Sequence, residues 1–171
     1  TNSWLVKTPM PVARGGIQTA AIGNKIYFVG GENQSGTAQF GTYCYTVSAD
    51  TVGGNPWTTL SNAPTELSAY AITSYKGKLF LFGGKNASTS YLNTVYIYNS
   101  QNDTWSTGTS MPHGKQHSVA VTLGTKIYVL AGTSNSGYTK TVDIYDPVSD
   151  TWTTGPFLNE ERGGVIAFDN G

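Results

Sequence analysis

Two hydrophobic patterns follow one another in the segment from Lys126 to Trp152. Residues Ile127–Ala131 form an unbroken apolar run that stops at Gly132, which is typical of a strand buried on both faces. Residues Thr141–Tyr145 alternate with period two, which indicates a strand with one buried side. Asp146-Pro147 then favours a turn, because proline has no N–H to donate to a ladder. The segment therefore predicts two strands and a third that leads into Trp152.

The same unit occurs twice upstream, where KLFLFGG and KIYFVGG stand in place of the first strand. The lysines that open the units are 53 and 48 residues apart, the tyrosines of the alternating strand are 53 and 47 apart, and the tryptophans are 53, 48 and 47 apart. A period of about 50 residues with several short strands indicates the blade of a propeller. The repeated positions are Lys25, Lys78 and Lys126; Tyr45, Tyr98 and Tyr145; and Trp4, Trp57, Trp105 and Trp152.

Paired glycines complete the unit at Gly30-Gly31 and Gly83-Gly84, with Ala131-Gly132 as a variant. Together with the tyrosine near the end of the third strand and the late tryptophan, they resemble the kelch repeat over essentially the whole chain. The resemblance implies an all-β fold of kelch-type β-propeller blades, each made of four antiparallel strands. It leaves function open, since kelch domains serve as scaffolds, adaptors and, less often, enzymes.

The repeat predicts three complete blades and a partial blade at each end of a single propeller segment. We expect an outer strand of a preceding blade around Trp4 and an inner strand of a fourth blade at 162–168. Three blades are fewer than the four to eight of a propeller, so we expect further blades from the same parent chain or, alternatively, from a second copy. The predicted units are 1–10 for the outer strand, 11–63, 64–111 and 112–156 for the three blades, and 157–171 for the inner strand.

Composition narrows the partner classes. The 171 residues carry 12% charged side chains and a net charge of zero, which argues against nucleic acid as a partner. No apolar run approaches the roughly 20 residues of a membrane span. Low charge and loops rich in Ser, Thr, Asn and Gly favour an extracellular or cell-surface location, with the cytoplasm as the alternative.

The single cysteine occupies a repeated position. Cys44 lies 53 residues before Ile97, which lies 47 before Ile144, so all three share one inward position of the third strand. We therefore expect a buried thiol that reacts slowly.

Candidate ligand-binding residues come from counting beyond each tryptophan. The residue ten positions after the tryptophan is basic in three of the four copies. Two of these three residues, Arg14 and Arg162, are the only arginines of the chain. They predict cations at the mouth of the central channel, holding an anionic or polyhydroxylated ligand; alternatively, they tether neighbouring blades. Twelve residues on, His117 is the one large residue among small ones. The candidates, with Gln116 and two loop tyrosines, are Arg14, Tyr91, Lys115, Gln116, His117, Tyr138 and Arg162.

No metal site and no cofactor are predicted. His113 and His117 are four residues apart, but on an extended segment that separates them by about 13 Å, too far for one ion. The chain also lacks a nucleophile elbow and a phosphate-binding glycine loop.

Two functions remain. The sequence favours a non-catalytic interaction module that binds a glycan or protein through the loop face of the propeller. The alternative is an enzyme resembling the kelch sialic acid mutarotases, in which arginines hold the carboxylate of a sugar and a neighbouring acid or histidine moves protons.

Overall fold

Three antiparallel sheets of four strands make up the computed structural model, which describes residues 4–167. Each sheet is one of the predicted blades, and its strands follow one another from the inner to the outer edge. Blade 3 also carries a short hairpin between its second and third strands. Blade 1 contains β1 Thr19–Ile22, β2 Lys25–Val29, β3 Thr42–Thr46 and β4 Trp57–Leu60; blade 2 contains β5 Ala71–Tyr75, β6 Lys78–Phe82, β7 Val95–Asn99 and β8 Thr104–Gly108; blade 3 contains β9 Val119–Leu123, β10 Lys126–Leu130, β13 Val142–Asp146 and β14 Thr151–Thr154, with the hairpin β11 Thr133–Ser134 and β12 Gly137–Tyr138.

The blades are arranged side by side around a common axis. The innermost strands lie next to one another, β1 against β5 and β5 against β9. This arrangement confirms the predicted all-β fold of four-stranded blades.

The core lies between the blades, and β6 shows why its sequence is apolar throughout. Leu79 and Leu81 point into the cluster shared with blade 1, while Phe80 and Phe82 point into the cluster shared with blade 3. Alternate side chains of a strand face opposite sides of the sheet, so a middle blade buries both faces.

Cys44 occupies the predicted register. It pairs with Tyr27 of β2, as Ile97 pairs with Phe80 and Ile144 with Tyr128. The thiol belongs to the core between blades 1 and 2 and is 2% exposed, and desolvation raises its pKa. The prediction of a buried cysteine is confirmed.

A hydrogen-bonded contact at the outer edge, the rim clasp, joins each blade to the chain segment before it. In blade 2, Tyr98 Oη donates to Asp103 Oδ1 at 2.7 Å, and the same carboxylate accepts from the backbone N–H of Ser61 at 2.9 Å. Trp105 Nε1 donates to the carbonyl of Ser61 at 2.9 Å. The clasp therefore fastens the segment that leaves blade 1 to the outer strands of blade 2.

The rim clasp recurs in the other two blades. In blade 3, Tyr145 donates to Asp150, which accepts from the N–H of Thr109, and Trp152 donates to the carbonyl of Thr109. In blade 1, Tyr45 and Thr8 both donate to Asp50, and Trp57 donates to the carbonyl of Thr8. Thr8 thus stands where Ser61 and Thr109 stand in the following repeats.

The predicted partial blades fall at the ends of the described chain. Residues 4–10 and 163–167 are in no strand. The outer strand around Trp4 and the inner strand of a fourth blade stay predictions, and Phe168 lies outside the described residues.

Candidate functional site

One face of the blades, the loop face, collects the connections between second and third strands and the segments that lead into the innermost strands. Bridges pair the two kinds of segment within each blade, Gly15 with Glu32, Ser68 with Lys85 and Gln116 with Thr133. The paired glycines reach across to the next repeat. Their N–H groups donate to its lead-in carbonyls, Gly31 to Leu67, Gly84 to Lys115 and Gly132 to Arg162.

At the first residue of the pair two backbones approach closely in blades 1 and 2, whereas blade 3 has Ala131 there, with φ 55°. A Cβ on Gly30 would lie 2.2 Å from the carbonyl oxygen of Leu67, and one on Gly83 would lie 2.3 Å from that of Lys115. Both glycines also have a positive φ, 57° and 64°.

A chain of backbone hydrogen bonds, the mouth chain, runs around the inner edge of the loop face. Ala69 N–H donates to the carbonyl of Gly16, His117 N–H to that of Ala69, and Gly164 N–H to that of His117, at 2.8–3.0 Å. All four residues are left-handed, with φ between 54° and 65°. Non-glycine residues seldom adopt this conformation. His117 is exposed, so the mouth chain fixes the backbone from which an imidazole projects at the inner edge of the face.

A charged cluster borders the mouth chain between blades 1 and 2. Glu32 Oε1 accepts from Lys85 Nζ at 2.8 Å and from Ser68 Oγ at 3.0 Å. The hydrogen bond from Lys85 lowers the pKa of Glu32 by more than desolvation raises it. The hydrogen bond from Ser68 and the electrostatic effect of His117 lower the pKa of Glu32 further. Sequence reasoning missed this cluster, although both charged residues directly follow a glycine pair.

Lys115 is buried rather than exposed at the mouth. Its side chain is 0% exposed; its Nζ lies 2.8 Å from Asp143 Oδ2, which is equally buried, and donates to Thr141 Oγ1 at 2.9 Å. Burial lowers the pKa of Lys115, and the Asp143 carboxylate opposes that effect. Lys115 and Asp143 both belong to blade 3, so this ion pair does not tether neighbouring blades.

Within residues 4–167, neither arginine side chain makes a hydrogen bond or ion pair that tethers neighbouring blades, and its role in ligand binding stays a prediction. Arg14 Nη1 donates to the carbonyl of Ala13 at 3.1 Å, and Arg162 Nη2 lies 2.7 Å from Glu160 Oε2. His113 Nδ1 lies 3.3 Å from Asp143 Oδ1, beside the buried ion pair.

A cavity of about 470 Å³ opens on the loop face of blade 3, and we name it the mouth pocket. It brings together three of the seven candidate residues. Tyr91 lines a different cavity, of about 440 Å³, beside Asn135. Tyr138, predicted in a loop, lies on β12 of the hairpin. The mouth pocket is lined by Gln116, His117, Thr133, Gly137, Tyr138, Gly163 and Gly164.

Within residues 4–167, no group of three or more His, Cys, Asp or Glu side chains is placed to hold a metal ion. The same residues include no helix that combines the length and the hydropathy of a membrane span.

Blades with this strand order, paired glycines and rim clasps define a propeller built from tandem repeats. The sequence profile of the KLHDC2/KLHL20/DRC7 Kelch-repeats domain matches residues 6–163. The chain belongs to the kelch-repeat family.

Curated relatives extend the comparison. Kelch-like protein 25 of Xenopus tropicalis is 30% identical over 138 residues, which are 77% of this chain and 23% of that protein. Kelch-like protein 36 of Bos taurus is 28% identical over 66% of this chain and 18% of its own length. Kelch-like protein 15 of Homo sapiens is 26% identical over 80% of this chain and 25% of its own length. The chain therefore spans a quarter or less of these relatives.

Among solved structures, that of YjhT superimposes with a TM-score of 0.76 and 19% sequence identity. The match covers 94% of this chain and 57% of YjhT. At this identity the likeness concerns the fold.

Proposed function

We propose that this chain is a non-catalytic binding module that holds a protein or glycan partner on its loop face, around His117. The observation that carries the proposal is the mouth chain. Three of its four positions are glycine or alanine, and the fourth projects an exposed imidazole from a left-handed backbone. Unusual backbone conformations of non-glycine residues concentrate at functional sites.

The surroundings of His117 support a polar ligand. The Glu32, Ser68 and Lys85 cluster supplies charges of both signs on one side, and Gln116 and Tyr138 lie on the other. A few convergent polar groups beside an aromatic ring are typical of a binding site.

The test begins with a glycan array and a displayed peptide library, each probed with the whole chain. Against whatever ligand is selected, His117→Ala should weaken binding at least about tenfold, because it removes the imidazole. Folding should be preserved, since Ala69 already occupies the equivalent backbone geometry at φ 55°. Val148→Ala, in the turn between β13 and β14 on the opposite face, serves as the control.

An unchanged dissociation constant for His117→Ala would contradict the proposal. So would a loss of binding that merely follows a loss of folded protein, measured by thermal unfolding of the same sample.

An enzyme that acts on a carboxylated sugar is the second candidate. One observation favours it: Glu32 accepts a hydrogen bond from Ser68, and the carbonyl of the next residue, Ala69, accepts from the His117 N–H, so a carboxylate and an imidazole border the same mouth chain. Turnover of a sialic acid, followed as anomer exchange by NMR and abolished by Glu32→Gln, would establish it. Saturable binding without turnover would favour the binding module.

We also propose that further blades of a parent chain cover the two open ends, with a second copy as the alternative. Thr8 sits in the clasp of blade 1, and Gly132 donates to Arg162 as the other glycine pairs donate to their next blades. Phe157 and Ile166 are 61% and 89% exposed. Light scattering decides: a monodisperse 18.2 kDa particle that binds no hydrophobic dye would contradict the proposal.

The last component of the proposal is an extracellular or cell-surface location, supported by the low charge and the polar loops. Antibody staining of intact cells of the source organism tests it, and staining only after permeabilisation would place the protein in the cytoplasm.

A further inference from the structure

We propose that the mouth pocket binds one uncharged pyranose ring of a saccharide, stacked on Tyr138 and hydrogen-bonded by Gln116, His117 and Thr133. This inference rests on the proposed function and names the ligand class of the same face.

The pocket lies where glycine takes the place of a side chain. Gly163 stands 47 residues after Gln116 and Gln116 stands 48 after Ser68, so the two preceding copies carry a side chain at this position, while the first copy has Gly15. A Cβ on Gly163 would lie 2.8 Å from Cδ1 and Cε1 of Tyr138. The tyrosine ring therefore rests against bare backbone, which fixes one side of it.

Within residues 4–167 the other side of the Tyr138 ring is open. The residue is 64% exposed there, and strand pairing with Thr133 in the β11–β12 hairpin holds its backbone in place. A rigid, exposed aromatic face beside polar groups matches the C–H face and the hydroxyl rim of a pyranose.

Gln116 offers an acceptor that has no partner. Its Oε1 is buried and receives no hydrogen bond from any residue in 4–167. The Gln116 backbone is fixed, because it exchanges two hydrogen bonds with Thr133, at 2.9 and 2.7 Å. Buried acceptors without partners are uncommon and costly, and a ligand hydroxyl would satisfy this one.

The charges around the pocket favour a neutral ligand. Among the lining residues only His117 and Tyr138 can titrate. Of the nearby cations, Lys115 is buried against Asp143, and Arg162 is exposed beside Glu160 and does not line the pocket. A carboxylated sugar would find no arginine fork here, whereas an uncharged ring needs only the amide, the imidazole and the aromatic face.

The experiment titrates the whole chain with methyl glucoside, methyl galactoside, methyl mannoside and methyl N-acetylglucosaminide, and with glucuronic and galacturonic acids. Binding is measured by ligand-observed NMR. We expect at least one neutral glycoside to bind and Tyr138→Ala to weaken it about tenfold or more, while Tyr138→Phe, which keeps the ring, stays within about threefold. Gly163→Ala should weaken it too, by displacing the ring, and Val148→Ala should have no effect.

The inference fails if no neutral glycoside binds or if Tyr138→Ala leaves binding unchanged. It also fails if the uronic acids bind more tightly than the neutral glycosides and their binding depends on Arg162. An equal loss of binding on Tyr91→Ala would overturn it as well, because the ligand would then lie across two pockets. If a peptide ligand is lost on His117→Ala while no glycoside binds, the inference fails and the proposed function stands. If a glycoside is lost on Tyr138→Ala but no partner responds to His117→Ala, the placement around His117 fails instead.

Discussion

Blades 2 and 3 have the same outer edge and different inner mouths. At the rim, Trp105 and Trp152 both donate to the carbonyl of the segment before their blade, at 2.9 and 2.8 Å. At the mouth, blade 2 has Ala69 in the left-handed position and blade 3 has His117.

The buried layer beneath the mouth differs as well. Leu67 and Tyr96 of blade 2 correspond to Lys115 and Asp143 of blade 3, so two residues that pack in or against the core in one repeat are replaced by an ion pair in the next. In a repeat protein the contacts with neighbours must be kept in every unit, whereas other positions are free to diverge. The comparison therefore separates positions that assemble the blades from positions that build a site.

The largest effect should come from breaking the buried pair of blade 3. Asp143→Ala leaves the Lys115 ammonium buried without its carboxylate, and we expect a loss of about 3–5 kcal/mol in the free energy of unfolding. The double substitution Lys115→Leu with Asp143→Tyr installs the blade 2 pair and should recover most of that loss. Urea denaturation measures both, and equal instability of the single and double variants would contradict the equivalence of the two blades.

A smaller and equal effect is expected at the two rims. Asp150→Ala removes the acceptor of Tyr145 and of the Thr109 N–H, and Asp103→Ala does the same in blade 2. Each should cost about 1–3 kcal/mol in the free energy of unfolding. If the losses measured for the two variants differ by more than about 2 kcal/mol, the width of that range, the two rims are not equivalent.

The rims should also respond to acid. Desolvation by itself would raise the pKa of Asp103 and Asp150, but hydrogen bonds from the tyrosine and the preceding segment outweigh it and lower both. Because the pKa is lower in the folded state, this stabilisation is complete above the unfolded value of about 3.9 and is lost as the pH falls below it. Urea midpoints measured from pH 5 to pH 2 should fall less steeply in the Asp103→Asn, Asp150→Asn double variant than in the wild type.

The smallest effect concerns Cys44, which compares blade 1 with blade 2. Because the β-branched aliphatic Ile97 fills the same register, Cys44→Val, which is closer in volume to cysteine, should change the free energy of unfolding by less than about 1.5 kcal/mol. Native thiol labelling of the wild type should lag far behind labelling in denaturant, since the thiol is buried. Equal labelling rates in the native and denatured protein would show that Cys44 is not buried, and the prediction from its position in the repeat would be wrong.

The sequence was sufficient to predict the blades because their signals are local and periodic. A period-two strand, a glycine pair and a late tryptophan recur at fixed spacing, and the same spacing identified Cys44 as buried and His117 as exceptional. Those features depend on position within one repeat, which is what a periodic sequence encodes.

The parts that spacing could not predict depend on which side chains meet. Lys115 shares a repeat position with Arg14, yet it is buried because Asp143 lies opposite it. Glu32 and Lys85 meet only because neighbouring blades pack side by side. The mouth pocket depends on Gly163, whose missing side chain matters only where Tyr138 packs against it.

The mouth chain has a consequence for how such proteins diversify. Its links use only N–H and C=O groups, so glycine, alanine and histidine all make them with the same backbone geometry. A side chain that tolerates a left-handed backbone can therefore be exchanged at these positions without breaking the link between blades. Each repeat thus has one position at the mouth whose side chain can be changed while the backbone hydrogen bonds stay in place. The chemistry of the mouth could therefore be altered one residue at a time without changing the blades.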